Sequence, residues 1–163
     1  MSEPAMVRRA RPSERETVLE LWLDLVEHHR ERDPSFPESE GLLPALRSEI
    51  DRALEEPRCR LFVAEVEGHA RGFTLAQVEA DGSLGSERGC WIHELYVEPD
   101  WRRRGLGSML VASVEAFFAE SGGTRVSIRV EASNPIGLRF WERRGFAERA
   151  RILERALSAP SGC

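Results

Sequence analysis

A short basic segment of the chain has the residue types and spacing of an anion-binding site. It contains Glu98-Pro99-Asp100-Trp101-Arg102-Arg103-Arg104-Gly105-Leu106-Gly107-Ser108. A strand-like apolar stretch precedes it, and an apolar helical stretch follows. The first N–H groups of a helix have no partner inside the helix, and the helix dipole adds partial positive charge there. The segment therefore predicts a phosphate site at the start of a helix.

The glycines and arginines of this segment each have a physical reason to serve such a site. Gly105 and Gly107 lack a Cβ atom, so a pyrophosphate can approach the backbone closely. Arg102, Arg103 and Arg104 add full positive charges for phosphate oxygens. The alternative is that the glycines only make a tight turn and that the arginines are a solvated run of charge.

Two other phosphate-binding motifs do not match. A P-loop requires a lysine, and all 23 basic residues of this chain are arginine. A dinucleotide-binding fingerprint requires a third glycine, and Leu110 stands at that position. Both motifs are therefore set aside.

The elements that position this segment alternate between strands and helices. Apolar periodicity predicts helices over residues 14–32, 42–55, 105–121 and 134–143, and strands over 6–10, 60–66, 70–79, 91–97, 124–130 and 146–153. A capping box of Ser13 and Glu16 is predicted to begin the first helix. The order predicts an α/β fold, with helices on both faces of a mixed central sheet of six or seven strands. We expect a single domain over residues 1–163, with an ordered core over about 6–155, a loop over 81–89 and a disordered tail over 156–163.

Composition narrows the classes of function. The net charge of −5 argues against general nucleic-acid binding, which uses a basic surface. No apolar run approaches the roughly 20 residues that span a bilayer, and the first residues do not have the pattern of a signal peptide. We therefore expect a cytoplasmic protein with no membrane contact. Cys59, Cys90 and Cys163 are widely spaced, which predicts neither a metal site nor a disulfide framework.

Two segments resemble the motifs of the GNAT acetyltransferase superfamily. Its [QR]-x-x-G-x-[GA] signature is matched by residues 102–107, directly after the strand-like residues 95–97. Its N-x-x-A-x-x-F-Y-x-x-x-G-F motif resembles residues 134–146, whose sequence is NPIGLRFWERRGF. The resemblance extends from about residue 6 to 153. It implies a GNAT-like fold and transfer of an acetyl group from acetyl-CoA to a primary amine by direct attack in a ternary complex.

The resemblance also implies where acetyl-CoA binds. The pyrophosphate would contact N–H groups of residues 103–108, and the pantetheine arm would pair with residues 95–97 where the sheet splays open. The N–H of Val97 would act as an oxyanion donor to the thioester carbonyl. Asn134 would hydrogen-bond the arm, or would serve only as a helix N-cap. The implied cofactor-binding residues are Leu95, Tyr96, Val97, Arg102, Arg103, Arg104, Gly105, Leu106, Gly107, Ser108, Asn134 and Trp141.

Direct attack requires a neutral amine, so a base must remove a proton from an alkylammonium acceptor. Glu94 is the first candidate, and its alternative role is to anchor a cationic substrate. Strand alternation predicts Ile92, Glu94 and Tyr96 on one face of the strand. His93 is predicted on the opposite face with Leu95, either as a core residue or as a second candidate base.

The general acid of the family is usually a tyrosine, and Trp141 stands at its position here. An indole N–H donates hydrogen bonds but does not release its proton usefully. Tyr96, the single tyrosine, is the remaining candidate acid. A thiol with a pKa of roughly 8.5 can also leave as the thiolate without an acid.

The acceptor and the assembly are less constrained by the sequence. Acidic residues in or beside the predicted hairpin and loop favour a cationic acceptor such as a polyamine or an aminoglycoside: they are Glu79, Asp81, Glu87 and Glu94. Arg129 occupies the position of a catalytic Glu in members that acetylate the N-termini of ribosomal proteins, which argues against that substrate. Two alternatives stay open, a non-catalytic acyl-CoA-binding regulatory module and a toxin-like aminoacyl-tRNA acetyltransferase. The resemblance also implies a homodimer.

Overall fold

A mixed five-stranded sheet lies at the centre of the computed structural model, which describes residues 4–79, 89–155 and 157. The strands are β1 (Met6–Arg9), β2 (Cys59–Val66), β3 (His69–Val78), β4 (Gly89–Val97) and β5 (Arg125–Ile128), and they lie in this order across the sheet. The helices are α1 (Arg15–Arg30), α2 (Ser39–Glu55), α3 (Leu106–Glu120) and α4 (Pro135–Glu142). Strands β1 to β4 pair antiparallel with their neighbours, whereas β5 joins β4 in parallel.

Helices cover both faces of the sheet, as predicted. Alternation along β2 and β3 directs one set of side chains, including Val63 and Phe73, into a core shared with α1 and α2. The opposite set, including Ala76 and Val78 of β3, packs with Ile92 of β4 against α3 and against Trp141 of α4. The sheet is therefore the middle layer of an α/β sandwich. None of the described helices has the length and apolar character needed to cross a membrane.

The prediction of six or seven strands is wrong for the described part of the chain, and the missing element is the strand expected over residues 146–153. No strand pairing occurs between residues 146 and 155. Phe146 packs against the α3-side core, but Ile152 and Leu153 are 62% and 92% exposed. Residues 147–151, which lie between Phe146 and Ile152, are charged or alanine. This segment therefore lacks the apolar face that would hold it on the sheet. The loop expected over 81–89 lies outside the described residues except for Gly89, and the tail expected over 156–163 lies outside them except for residue 157.

The first helix begins with a different cap from the predicted one. Ser13 lies inside a short 3₁₀ turn, Pro12–Glu14, and does not cap the helix. The N–H of Arg11 donates to the carboxylate of Glu14 at 2.7 Å. Glu16, the predicted partner of Ser13, instead pairs with Arg47 of α2.

Glu14 also takes part in a half-buried ionic cluster that joins β1, the 3₁₀ turn and β2. Arg8 donates two hydrogen bonds to Glu14, at 2.8 and 2.6 Å, and two to Glu65, at 3.1 and 2.5 Å. These bonds and the Arg11 N–H hold the pKa of Glu14 at about 2, well below its ordinary value. The carboxylate therefore stabilises the fold at neutral pH.

We expect Glu14→Gln to lower the free energy of unfolding by about 1–3 kcal/mol at pH 7, because it removes a bidentate, charge-assisted pair. A depressed pKa contributes stability that is present above the unfolded-state value and is lost as the pH falls through the folded-state value. The difference from wild type should therefore disappear between about pH 4.5 and pH 2. Thermal denaturation across this range measures it. Glu16→Gln is the matched control: its ion pair is exposed and screened by solvent, so its loss should cost much less than the loss of the Glu14 pair.

Candidate active site

The parallel pairing of β4 with β5 stops halfway along β4. The paired positions run from Gly89 opposite Arg125 to Ile92 opposite Ile128. Beyond Ile92, the strand continues to Val97 with β3 as its single sheet neighbour within the described part of the chain. The sheet therefore opens between β4 and the segment after β5, as the sequence predicts.

The backbone of β4 has groups directed into this opening. The N–H of Glu98 donates to the carbonyl of Arg71 at 2.9 Å, so these two residues form a hydrogen-bonded antiparallel pair. Such pairs alternate along a ladder, so Tyr96 also bonds towards β3. Leu95 and Val97 then direct their N–H and carbonyl groups away from β3, into the opening. The roles expected for the two residues would require this direction, and they stay predictions.

A bulge interrupts β4 at the inner end of the opening. Leu75 of β3 lies opposite Glu94. The next residue of β3, Ala76, lies opposite Ile92, so His93 is the extra residue on β4. A bulge of this kind bends the strand and changes which side chains share a face.

The bulge corrects the faces predicted from simple alternation. Ile92 packs in the α3-side core, so it does not share a face with Glu94. Glu94 lies opposite Leu75 on the α1–α2 side, and Leu75 belongs to the core on that side. Nε2 of His93 lies 3.0 Å from Oε1 of Gln77. Gln77 is two residues from Leu75 along β3, so its side chain points to the same side. Both candidate bases therefore lie on one face.

Glu94 is half-buried and has a strongly perturbed acidity. Burial raises its pKa to about 7, with smaller contributions from the negative charges of Glu131 and Glu49. Arg129, located just beyond β5, opposes this shift. A carboxyl group with this pKa can exchange a proton near neutral pH.

The N-terminus of α3 has a backbone geometry that suits an anion. Arg103 and Gly105 have positive φ angles of 58° and 87°, which curve the chain before the helix. The N–H of Met109 is the first to bond inside the helix, to the carbonyl of Gly105 at 3.0 Å. The N–H groups of Leu106 to Ser108 are therefore not used by the helix. Consecutive N–H groups in this geometry form a concave site for an anion.

The two glycines of the motif are needed for different reasons. Gly105 adopts a left-handed conformation that glycine favours, and the space beside it is open. At Gly107, a Cβ atom would lie 3.1 Å from the ring of Phe140 on α4. Gly107 thus permits close packing of α4 on α3, in addition to any approach by a ligand.

The three arginines of the motif are not equivalent. Arg102 donates from Nε to the carbonyl of Val97 at 2.8 Å, which fixes the end of β4. The guanidinium of Arg104 lies over the ring of Trp101, 4.8 Å from its centre. Arg103 is exposed at the turn itself. The motif therefore supplies one arginine for the strand end and two near the anion-binding backbone.

Arg144 is a residue of the site that the sequence analysis missed. Its guanidinium stacks 3.6 Å from the centre of the Phe140 ring and donates to the carbonyl of Phe140 at 3.1 Å. It also donates to the hydroxyl of Ser108 in the first turn of α3. The sequence signal was a basic residue just before Gly145 in the second motif, but its reach to α3 depends on how the helices pack.

The remaining predicted site residues have mainly structural contacts. Asn134 caps α4, because its Oδ1 accepts from the N–H of Gly137 at 2.9 Å. Trp141 is 5% exposed and packs edge-on against the rings of Phe140 and Phe146. Tyr96 is 6% exposed in the α1–α2 core, and burial raises its phenol pKa. These positions favour packing and capping roles for the three side chains.

The C-terminal half of α1 adds groups that the sequence analysis did not single out. Burial, with the nearby positive charges of Arg102 and Arg32, lowers the pKa of His28 to about 4. Burial, with the negative charge of Glu98, raises the pKa of Asp24. Helix α1 therefore borders the end of β4. Among the described residues, no cluster of three metal-ligating side chains is present.

Comparison with known proteins identifies the family. The model of the acetyltransferase (GNAT) family matches residues 22–146, which include the opening, the anion-binding turn and α4. The chain belongs to the GNAT family of acetyltransferases. The resemblance in the two motifs is thus confirmed over most of the chain.

Individual GNAT relatives differ in how much of their length the chain covers. An uncharacterised N-acetyltransferase of Methanocaldococcus jannaschii is 31% identical over 88 residues, 54% of this chain and 39% of that protein. An aminoglycoside N(6')-acetyltransferase of Salmonella enteritidis is 24% identical over 139 residues, 84% of this chain and 90% of the relative. The solved structure of the aminoglycoside N-acetyltransferase AAC(6')-Iy with CoA superposes with a TM-score of 0.70 at 21% identity, over 98% of this chain and 97% of that one. This likeness supports the shared fold.

The raised pKa of Glu94 predicts a pH-dependent cost to stability. The folded-state pKa lies above the ordinary value, so the ionised group destabilises the fold, fully above about pH 7 and not at all below about pH 4.5. Glu94→Gln should therefore raise the melting temperature at pH 8, by an amount corresponding to at most about 3 kcal/mol. At pH 4.5 the variant and wild type should melt together. An equal effect at both pH values would show that the cause is packing and not charge.

Proposed function

We propose that this GNAT protein transfers the acetyl group of acetyl-CoA to a primary amine of a cationic acceptor, by direct attack in a ternary complex. The observation that carries the proposal is the opening beside β4. Its inward-directed backbone groups at Leu95 and Val97 lead to the anion-binding turn, and Glu94 lies at its inner end. A linear thioester with a pyrophosphate at one end matches this order of groups.

The residues present fit acetyl-CoA as the co-substrate. The N–H groups of residues 103–108 would hold the pyrophosphate, with charge from Arg103 and Arg144. The N–H and carbonyl groups of Leu95 would pair with the amide groups of the pantetheine arm, and the Val97 N–H would stabilise negative charge on the thioester oxygen. The side-chain N–H₂ of Asn134 is still available for the arm after its oxygen has capped α4.

Glu94 serves in this proposal as the base for the acceptor. The carboxylate takes a proton from the ammonium group, and the neutral amine then attacks the thioester carbon. The C–S bond breaks, the sulfur leaves with the electron pair, and the second proton from nitrogen converts the thiolate to the thiol. This scheme requires no protein acid, because the sulfur can leave as the thiolate. The two side chains considered for that role, Tyr96 and Trp141, are both buried.

The charges on the α1–α2 side favour a cationic acceptor. Glu49 and Glu131 each interact electrostatically with Glu94, and Asp24 of α1 interacts with Glu98 at the end of β4. Aminoglycosides are polyamines, and relatives named as aminoglycoside acetyltransferases match most of the chain. A polyamine or an aminoglycoside is therefore the acceptor class that we propose to test first.

A non-catalytic acyl-CoA-binding module is the second candidate. The observation that favours it is the buried tryptophan at the position of the usual acid. Binding of acetyl-CoA without turnover on any amine would support this candidate over the first. The homodimer and the cytoplasmic location stay predictions.

Calorimetric titration tests the cofactor site. We expect wild type to bind acetyl-CoA and Arg144→Met to bind it about tenfold more weakly, because one charged hydrogen-bond donor is lost. Arg143→Met is the matched control, since it removes the same charge one residue away and Arg143 is exposed. Its affinity should stay within about threefold of wild type. Equal losses in both variants would indicate a general charge effect, and no binding by wild type would contradict the site.

Release of free thiol in the presence of a polyamine, an aminoglycoside and an uncharged aromatic amine tests the chemistry. We expect turnover with the cationic amines, a rate that rises through about pH 7, and a loss of about a hundredfold in kcat/KM for Glu94→Gln. Glu131→Gln is the control: it keeps the base but removes a neighbouring negative charge. In this variant the rise of the rate with pH should move to lower pH, because the pKa of Glu94 falls, and the maximal rate should be preserved. A Glu94→Gln enzyme with full activity would exclude the base role.

A further inference from the structure

A chain of side-chain hydrogen bonds leads from α2 across β3 to the bulge of β4. Glu49 accepts from Nε of Arg52 at 3.1 Å. Nη2 of Arg52 donates to Oε1 of Gln77 at 3.4 Å, and Nη1 donates to the sulfur of Cys59 at 3.2 Å. The same Oε1 of Gln77 lies 3.0 Å from Nε2 of His93. None of these contacts is required by the fold of the sheet alone.

The chain determines which ring nitrogen of His93 carries the proton. An arginine only donates hydrogen bonds, so the atom of Gln77 that faces Arg52 is the carbonyl oxygen. That oxygen only accepts, so Nε2 of His93 must be the donor. In the neutral ring Nδ1 is then unprotonated, with its lone pair free to accept a proton.

The surroundings keep His93 neutral near pH 7. Partial burial of the ring lowers its pKa, and the positive charges of Arg52 on α2 and Arg129 beyond β5 act in the same direction. Glu49 on α2 and Glu79 beside β3 oppose the shift. An imidazole in this state can act as a base.

The position of His93 suits an exchange of protons with an acceptor. The bulge places it next to Glu94 on the α1–α2 face, and the residue is exposed there. Its Nδ1 has no hydrogen-bond partner within residues 4–79, 89–155 and 157. We infer that His93 is a second proton acceptor of the site, and that Gln77 and Arg52 are positioning residues that hold it in the Nε2–H form.

The inference rests on the proposed function and adds a proton route to it. In this route Nδ1 of His93, in place of Glu94, takes the first proton from the ammonium group of the acceptor, which gives an imidazolium and a neutral amine. The second proton still converts the thiolate to the thiol. The imidazolium then releases that proton to water, and the neutral ring is restored. No oxidant, metal or further reactant enters this step.

The tautomer can be measured without turnover, by long-range proton–nitrogen correlation NMR of ¹⁵N-histidine-labelled protein. In wild type at about pH 7.5 we expect a protonated Nε2 and an unprotonated Nδ1 for His93, assigned with the His93→Gln variant. His69 is the internal control, because its Nδ1 lies 2.8 Å from the carbonyl of Glu67 and must be the donor there. The same spectrum should therefore show both tautomers.

Substitutions of Gln77 test the positioning role. Gln77→Leu has a similar volume but no acceptor, so His93 should become a mixture of tautomers while His69 does not change. Gln77→Glu retains an acceptor and should keep His93 in the Nε2–H form. The added negative charge should also raise the pKa of His93. A protonated Nδ1 in wild type, or an unchanged spectrum for Gln77→Leu, would overturn the inference.

Kinetics test the second base itself. We expect His93→Gln and Gln77→Leu to lower kcat/KM for a cationic amine by about tenfold and to change its pH profile, with KM for acetyl-CoA unchanged. Unchanged profiles in both variants would overturn the base role, whatever the tautomer. No turnover by wild type on any amine would instead contradict the proposed function, and with it the base role, while the tautomer result would still stand by itself.

Discussion

The divergence of β4 from β5 is the constraint on which the rest of the site depends. Four paired positions join the strands, and the pairing ends at Ile92 and Ile128. A continued ladder would use the N–H and carbonyl groups of Leu95 and Val97, and no backbone would face a ligand there. The bulge at His93 lies where the ladder ends, and it also decides which side chains reach the acceptor face. In the proposed function, the end of this pairing and the bulge beside it together set the geometry for the cofactor and for proton transfer.

The two ends of the opening carry opposite electrostatics. At the outer end, the turn before α3 combines unused N–H groups with arginines, and this suits a polyanionic pyrophosphate. At the inner end, burial raises the pKa of Glu94, and the negative charges of Glu131 and Glu49 add to the shift. The positive charge of Arg129 opposes this shift, and the pKa of Glu94 is about 7. The charge therefore changes sign along one strand. This gradient suits an anionic ligand at the outer end of the opening and a cationic ligand at the inner end.

Much of this arrangement follows from sequence, because it depends on local rules. Glycine spacing and the strand-to-helix change located the turn at residues 102–108, and apolar periodicity located the helices within a few residues. The bulge was missed because an extra residue leaves no local mark in the pattern His93-Glu94-Leu95, so the faces came out wrong. Arg144 was missed because its contact with Ser108 joins two helices. The strand expected at 146–153 is absent because residues 147–151 supply no apolar face and the side chains of Ile152 and Leu153 stay exposed.

The contact between Gly107 and Phe140 also constrains how sequences of this fold can vary. The family signature allows either glycine or alanine at position 107, but here a methyl group would crowd the aromatic ring on α4. The same ring carries the guanidinium of Arg144, so a smaller residue at 140 would release that side chain as well. Positions 107, 140 and 144 are therefore coupled by direct contact, so an exchange at one changes the packing at the other two.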